Sequence, residues 1–187
     1  MDGMSESQVL ARSLHDVGLA AWFGGSLMGA VGLNESGARA ADGEEARVAG
    51  EGWATWTPVN LAAIAAHLAG GAMLTAGNKG RIAGQKGVAA TSALKTALTL
   101  AALGATGVAR VIGQRVISQP EAPARAGTEP SPGTPPDVAA AQRQLRALQW
   151  AIPFLTGSML VVNAVMGEQQ RPTNVVTGVI DRLNPLK

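Results

Sequence analysis

From Val17 to Leu33 the chain carries no charge, inside the segment RSLHDVGLAAWFGGSLMGAVGL at positions 12–33. At about 1.5 Å per residue, a helix of that length comes close to crossing the hydrocarbon core of a bilayer. The same stretch holds Gly18, Gly25 and Gly32 at seven-residue spacing, with Ala21 and Gly29 nearly in line. Seven residues make two helical turns, so these positions form a strip of bare backbone on one face. In lipid the hydrophobic effect does not drive helices together; close van der Waals contact does, and small residues such as Gly25 and Gly29 permit it. A partner helix is therefore expected against Gly18, Gly25, Gly29 and Gly32.

Three further apolar segments follow, at about 57–77, 88–108 and 148–166. Only 15% of the 187 residues are charged, against about a quarter in an average soluble domain. The deficit falls in these segments, which fits spans better than a soluble core. The expected fold class is all-α: a single four-helix transmembrane bundle, with a disordered Pro-rich loop between the third and fourth helices. Trp53 and Trp56 read as interface anchors before the second span, and Pro58 as a first-turn proline whose missing N–H costs nothing. In the third span Ala93, Ala97 and Ala101 repeat every four residues as a second small-residue ridge. The stretch 118–136 holds six prolines and almost no large apolar side chain, so it cannot bury a core. Asp137 is expected to cap the helix that becomes the fourth span, and Pro153 to bend it. The tail at 171–185 has apolar residues at helical spacing, as in a short helix lying on a surface.

The link between spans two and three carries Lys79, Arg81 and Lys86 with no acid. It is rich in glycine, but it lacks the Gly-Lys-Ser/Thr of a phosphate-binding P-loop, so lipid headgroups are the expected partners of those three cations. With this link counted and Lys95 left out, lysines and arginines divide seven to seven between the two sides of a four-span chain, and the short basic link breaks the tie by placing itself and both termini in the cytoplasm. With no cysteine there is no thiolate nucleophile or disulfide framework, and the basic residues form no stripe with interleaved aromatics, so no nucleic-acid partner is expected.

Few residues in the spans can do chemistry. His15 lies at the entry of the first span, His67 in the middle of the second with Asn60 two turns earlier on the same face, and Lys95 a third of the way into the third. Two histidines on neighbouring helices can clamp a haem or a metal. Reading the first span as starting near His15, however, puts the two at different depths, which favours His67 as an interhelical hydrogen-bonding residue and leaves no expected metal or cofactor. Lys95 could pair with Asp16 or serve a polar cavity, but a lysine near the end of a span is expected to snorkel to the headgroups. No Ser-His-Asp arrangement can be assembled, so no enzyme is expected.

Leu14-His15, followed by Ala20-Ala21-Trp22-Phe23-Gly24-Gly25, resembles the opening of the copper resistance protein D-like and transmembrane-protein-205-like families of small bacterial membrane proteins, which begin with Leu-His and then Trp-x-Gly-Gly on one helix. The resemblance implies a protein of the bacterial plasma (inner) membrane, linked to metal or haem, with His15 the one residue carried over. From the residues themselves, the leading expectation is a non-catalytic structural or accessory subunit acting by helix–helix association, with itself or in a larger membrane assembly. The alternative is a haem- or metal-binding membrane protein or transporter that uses His15 and His67.

Overall fold

The computed structural model describes residues 6–34, 45–118, 124–126 and 128–183. The chain order is α1 (Glu6–Met28), ending in a π-helical turn (Gly29–Leu33); α2 (Glu45–Gly77); α3 (Lys79–Gly84); α4 (Val88–Ile117); β1 (Ala124–Ala126) and β2 (Glu129–Pro130); α5 (Pro136–Glu168); and α6 (Pro172–Leu183). The fold is all-α apart from the two-stranded ladder. Four helices, α1 with its π turn, α2, α4 and α5, are long and apolar enough to cross a membrane. Phe154, Val17, Leu61, Val161 and Leu100 turn outward, each 64% exposed or more. In water that much outward apolar surface marks a contact surface, whereas in lipid it is the ordinary exterior of a bundle.

The second span lies inside a longer helix than expected. α2 begins at Glu45 rather than near Thr57, so Pro58 stands inside the helix and not in its first turn. Packing explains the extension: Ala49 is buried, and Gly50 lets the end of α4 approach through Ile117. The expected helix-capping Asp137 sits in the first turn of α5, while Pro135 takes the cap and Pro136 the first helical position. A proline there gives up a donor that has no helical partner in any case. Within the Pro-rich segment, Ala124–Ala126 pairs antiparallel with Glu129–Pro130 and Thr128 is buried. That part is extended and paired, lying against α2 and α5, which is one of the two states, disordered or extended, that its composition allows. A capping box at Ser5 and most of the acidic connection after Asn34 lie outside the described residues.

The tightest pair is α1 with α2, followed by α4 with α5; α1 and α5 join the pairs, and α2 barely touches α4. Leu19, Trp22, Ile64, Ala102, Ile152 and Met159 form the central core, and Ile112, Val116 and Leu145 a second cluster towards one end. The bundle is thus closed on three sides and cleft on the fourth.

Glycine sets the closest approach. A Cβ on Gly18 would collide with the Ala63 carbonyl and lie 2.6 Å from the His67 amide nitrogen, and one on Gly70 would meet the Ala11 carbonyl and the His15 amide in the same way. At these two points α1 and α2 touch backbone to backbone. Further along α1, the rings of Trp56 and Trp53 cover Gly25 and Gly29. The two tryptophans therefore turn inward onto α1, where the sequence suggests lipid anchors. Gly32 has only the Met28 sulfur near it, at 3.7 Å. Gly18→Ala is expected to destabilise the detergent-solubilised protein by about 1–3 kcal/mol through overpacking. Gly24→Ala, with open space around it, should be neutral or gain about 0.5–1 kcal/mol of helix propensity; thermal unfolding of both variants checks the contrast.

Candidate functional site

The sequence Ala-x-x-x-His-x-x-Gly occurs twice, as Ala11, His15, Gly18 on α1 and as Ala63, His67, Gly70 on α2. Small residues four before and three after each histidine bring the facing backbone close, and each imidazole then reaches across to the other helix. His15 Nδ1 lies 2.8 Å from the His67 carbonyl oxygen, and His67 Nδ1 lies 3.0 Å from the His15 carbonyl oxygen. A carbonyl oxygen only accepts, so both Nδ1 atoms carry protons and donate. The rings stack with centroids 4.0 Å apart and 20° between planes, and the indole of Trp22 meets His67 edge-on at 6.2 Å. Both histidines are buried, at 4% and 1% exposure.

The depth argument from sequence fails here for a simple reason. α1 begins at Glu6, well before the uncharged stretch, so His15 is about a third of the way along it. His67 is two thirds of the way along an antiparallel α2, and the two sit at one level.

With Nδ1 protonated, His15 presents the lone pair of Nε2, and the Lys95 ammonium on α4 contacts it. Lys95 also donates to Asn163 Oδ1 on α5. Asn163 Nδ2 then donates to Asp16 Oδ1 at 3.1 Å. One polar chain, His67, His15, Lys95, Asn163 and Asp16, thus ties all four long helices at one depth. Lys95 is turned into the bundle rather than snorkelling out, because acceptors on two neighbouring helices lie within its reach.

This chain lines a cavity of about 560 Å3 in the cleft between α2 and α4. Arg12 and Arg81 lie on the same cavity. Arg12 donates to Gln170 Oε1 at 2.6 Å, while Arg81 donates to the Gln169 carbonyl, to Gln85 Oε1 and to Asn78 Oδ1. Both guanidiniums thus converge on the turn that ends α5. Burial, and then the like charge of Arg12, push the Arg81 guanidinium below its ordinary value. Of the three expected headgroup cations, Arg81 turns into the cavity whereas Lys79 and Lys86 stand exposed outside it. Gly87, in the left-handed region at φ +84°, turns the chain from the link into α4.

Asn60 belongs elsewhere. It lines a second cavity of about 320 Å3 in the other half of the cleft, walled by Trp22, Trp53, Trp56 and Ile64. Ile64 is buried between its level and that of His67. Neither Asn60 Oδ1 nor Trp56 Nε1 has a hydrogen-bond partner among the described residues. Ala97 and Ala101 lie on the exposed face of α4, whereas Ala93, also exposed, lines the first cavity. Among the described residues, no three of His, Asp and Glu converge as a metal site.

Sequence reading singled out His15, His67 and Lys95, with Asp16 as one possible partner of Lys95, but missed Asn163 and Arg12 as their neighbours. The doubled Ala-x-x-x-His-x-x-Gly pattern is the signal that pairs the histidines. Nothing in the local sequence of Asn163 marks it. No family model, curated protein or solved structure matches the chain. The likeness to the copper resistance protein D-like and transmembrane-protein-205-like families therefore rests on Leu14-His15 and Ala20 to Gly25 alone.

Proposed function

We propose that this chain is a non-catalytic integral membrane protein that binds a small ligand within the bilayer, with the polar cavity between α2 and α4 as its working site. The observation carrying this reading is the His67–His15–Lys95–Asn163–Asp16 chain on a cavity wall. A charged side chain costs about 2.5–3.5 kcal/mol on insertion scales at the centre of a membrane helix and less towards its ends, and Lys95, in the first third of α4, bears part of that cost. Helix-to-helix glue is obtained more cheaply from neutral Ser, Thr or Asn, so a lysine facing a cavity points to a ligand. A cleft also suits this use better than a closed seam, since α2 and α4 need not separate far to admit an occupant. The reading places the link, both termini and the mouth at Arg12 and Arg81 on the cytoplasmic side of a plasma membrane.

The absence of cysteine from the sequence makes the test direct. In single-cysteine variants, Ser92→Cys on the cavity wall should react with a charged, membrane-impermeant methanethiosulfonate at least about tenfold faster than Val161→Cys on the outer surface. Equal, slow labelling of the two would remove the water-accessible cavity and this function with it.

Association in the membrane is a second reading, supported by one observation. The glycine strip of α1 is consumed inside the chain, but Ala97 and Ala101 remain uncovered on α4, and nothing lies within 4 Å of a Cβ placed on Gly104 or Gly107. A second copy packing α4 against α4 would use this face, with the small residues letting the backbones approach. Because Trp56 covers Gly25, Gly25→Leu tests the fold rather than assembly. Ala97→Leu is the informative change: it should shift a dimer to monomer on native gels of gently solubilised membranes without altering thermal stability, and a monomer in the unsubstituted protein would end this reading.

A further inference from the structure

The cavity is lopsided in charge. Arg12, Arg81 and Lys95 line it against a single carboxylate, Asp16. Asp16 is itself exposed and takes a hydrogen bond from Asn163, so it does not neutralise the arginines at the mouth. The hydrogen bonds the arginines make are to neutral oxygens, the amide of Gln170 for one and the carbonyl of Gln169 with the amides of Gln85 and Asn78 for the other. These contacts hold the two planar groups in place without cancelling their charge, and a guanidinium in that state is suited to the paired oxygens of a phosphate. The Ser92 hydroxyl adds a donor on the same wall, while the hydroxyls of Thr75 and Thr96 already donate to the Gly71 and Ser92 carbonyls and present only lone pairs.

The rest of the lining is apolar. Leu68 and Leu100 line the cavity and are 41% and 64% exposed, so the apolar wall of the cavity lies open between α2 and α4. A free hydrophilic anion has no use for that wall. A molecule with an anionic head and a hydrocarbon tail uses both parts, and the bilayer supplies such molecules at high local concentration.

We propose that the cavity holds the headgroup of an anionic lipid, with its phosphate oxygens on Arg12 and Arg81, Lys95 beneath them, and an acyl chain lying in the opening between α2 and α4. This rests on the ligand-binding reading of the cavity and names the ligand class. It assigns Arg81, rather than the exposed Lys79 and Lys86, as the headgroup residue of the basic link.

The full chain, purified in non-ionic detergent, is heated with added phosphatidylglycerol, with phosphatidylcholine of the same acyl chains, or with inorganic phosphate. Phosphatidylglycerol is expected to raise Tm by about 5 °C or more through selective binding to the folded state, and the other two by much less. Arg12→Gln and Arg81→Gln should each remove most of that shift, Arg81→Lys should retain part of it, and Arg182→Gln, an exposed cation on α6, should leave it intact. Equal shifts from the two lipids, or loss of the shift in Arg182→Gln as much as in Arg81→Gln, would overturn the proposal in favour of surface attraction. A full shift from inorganic phosphate would replace the lipid by a free anion. If no anion stabilises the protein while Ser92→Cys labels rapidly, the cavity stands and the lipid assignment falls; if Ser92→Cys is also inert, the ligand-binding reading falls with it.

Discussion

The bundle depends on the place where α1 and α2 meet backbone to backbone. Gly18 and Gly70 each lie against the turn of the other helix that carries a histidine, and only this closeness lets each imidazole reach the opposite main chain. The two contacts are interdependent: bulk at either glycine pushes the axes apart, and both Nδ1–H donors then lose the carbonyls they address. At a seam where the two backbones touch, a donor that loses its carbonyl is left buried and unpaired, which costs about 1–3 kcal/mol. The same geometry fixes the register of the pair, since sliding one helix by a turn breaks both bonds at once. It also holds the His15 Nε2 lone pair towards α4, where Lys95 meets it.

The remaining helices arrange themselves around that pair. α5 packs against both α1 and α4 and carries Asn163 to the level of the histidines, whereas α2 and α4 stay apart. The apolar core built on Leu19, Trp22 and Met159 closes three sides, and the open fourth side becomes the cleft. Small residues thus serve two different ends. On α1 and α2 they allow the contact that places the histidines; on α4 they leave a smooth outward face. Polar residues are gathered on the cleft, where side chains on several helices satisfy one another, and on this gathering rests the proposal that the cavity is the working site.

Much of this was legible in the sequence, and what was not has a definite cause. The four long helices follow from length and hydrophobicity, signals that accumulate over twenty residues. Helix ends were harder to read, because Glu45 to Trp56 looks like a polar connection and becomes helix only through contacts such as Gly50 with Ile117. The depth of His15 was misread for another reason: a first span taken to start near His15 appears to separate it from His67, whereas the antiparallel contact of α1 with α2 sets the two level. Lys95 reads as a snorkelling residue when its own helix is considered, because the acceptors that hold it belong to α1 and α5. Arg12 and Arg81 come from segments seventy residues apart, and their convergence on the turn at Gln169 and Gln170 is a property of the tertiary fold alone.

The claim from which the rest follows is the reciprocal histidine clasp, and the protonation of the ring nitrogens reports on it. Nitrogen-15 solid-state NMR of His-labelled protein in lipid bilayers distinguishes a protonated from an unprotonated Nδ1 in each imidazole. The clasp requires a proton on Nδ1 of both His15 and His67, each coupled to a carbonyl of the facing helix, and a lone pair on Nε2 of His15. An unprotonated Nδ1 on either ring would contradict it, since that nitrogen could not donate to a carbonyl oxygen.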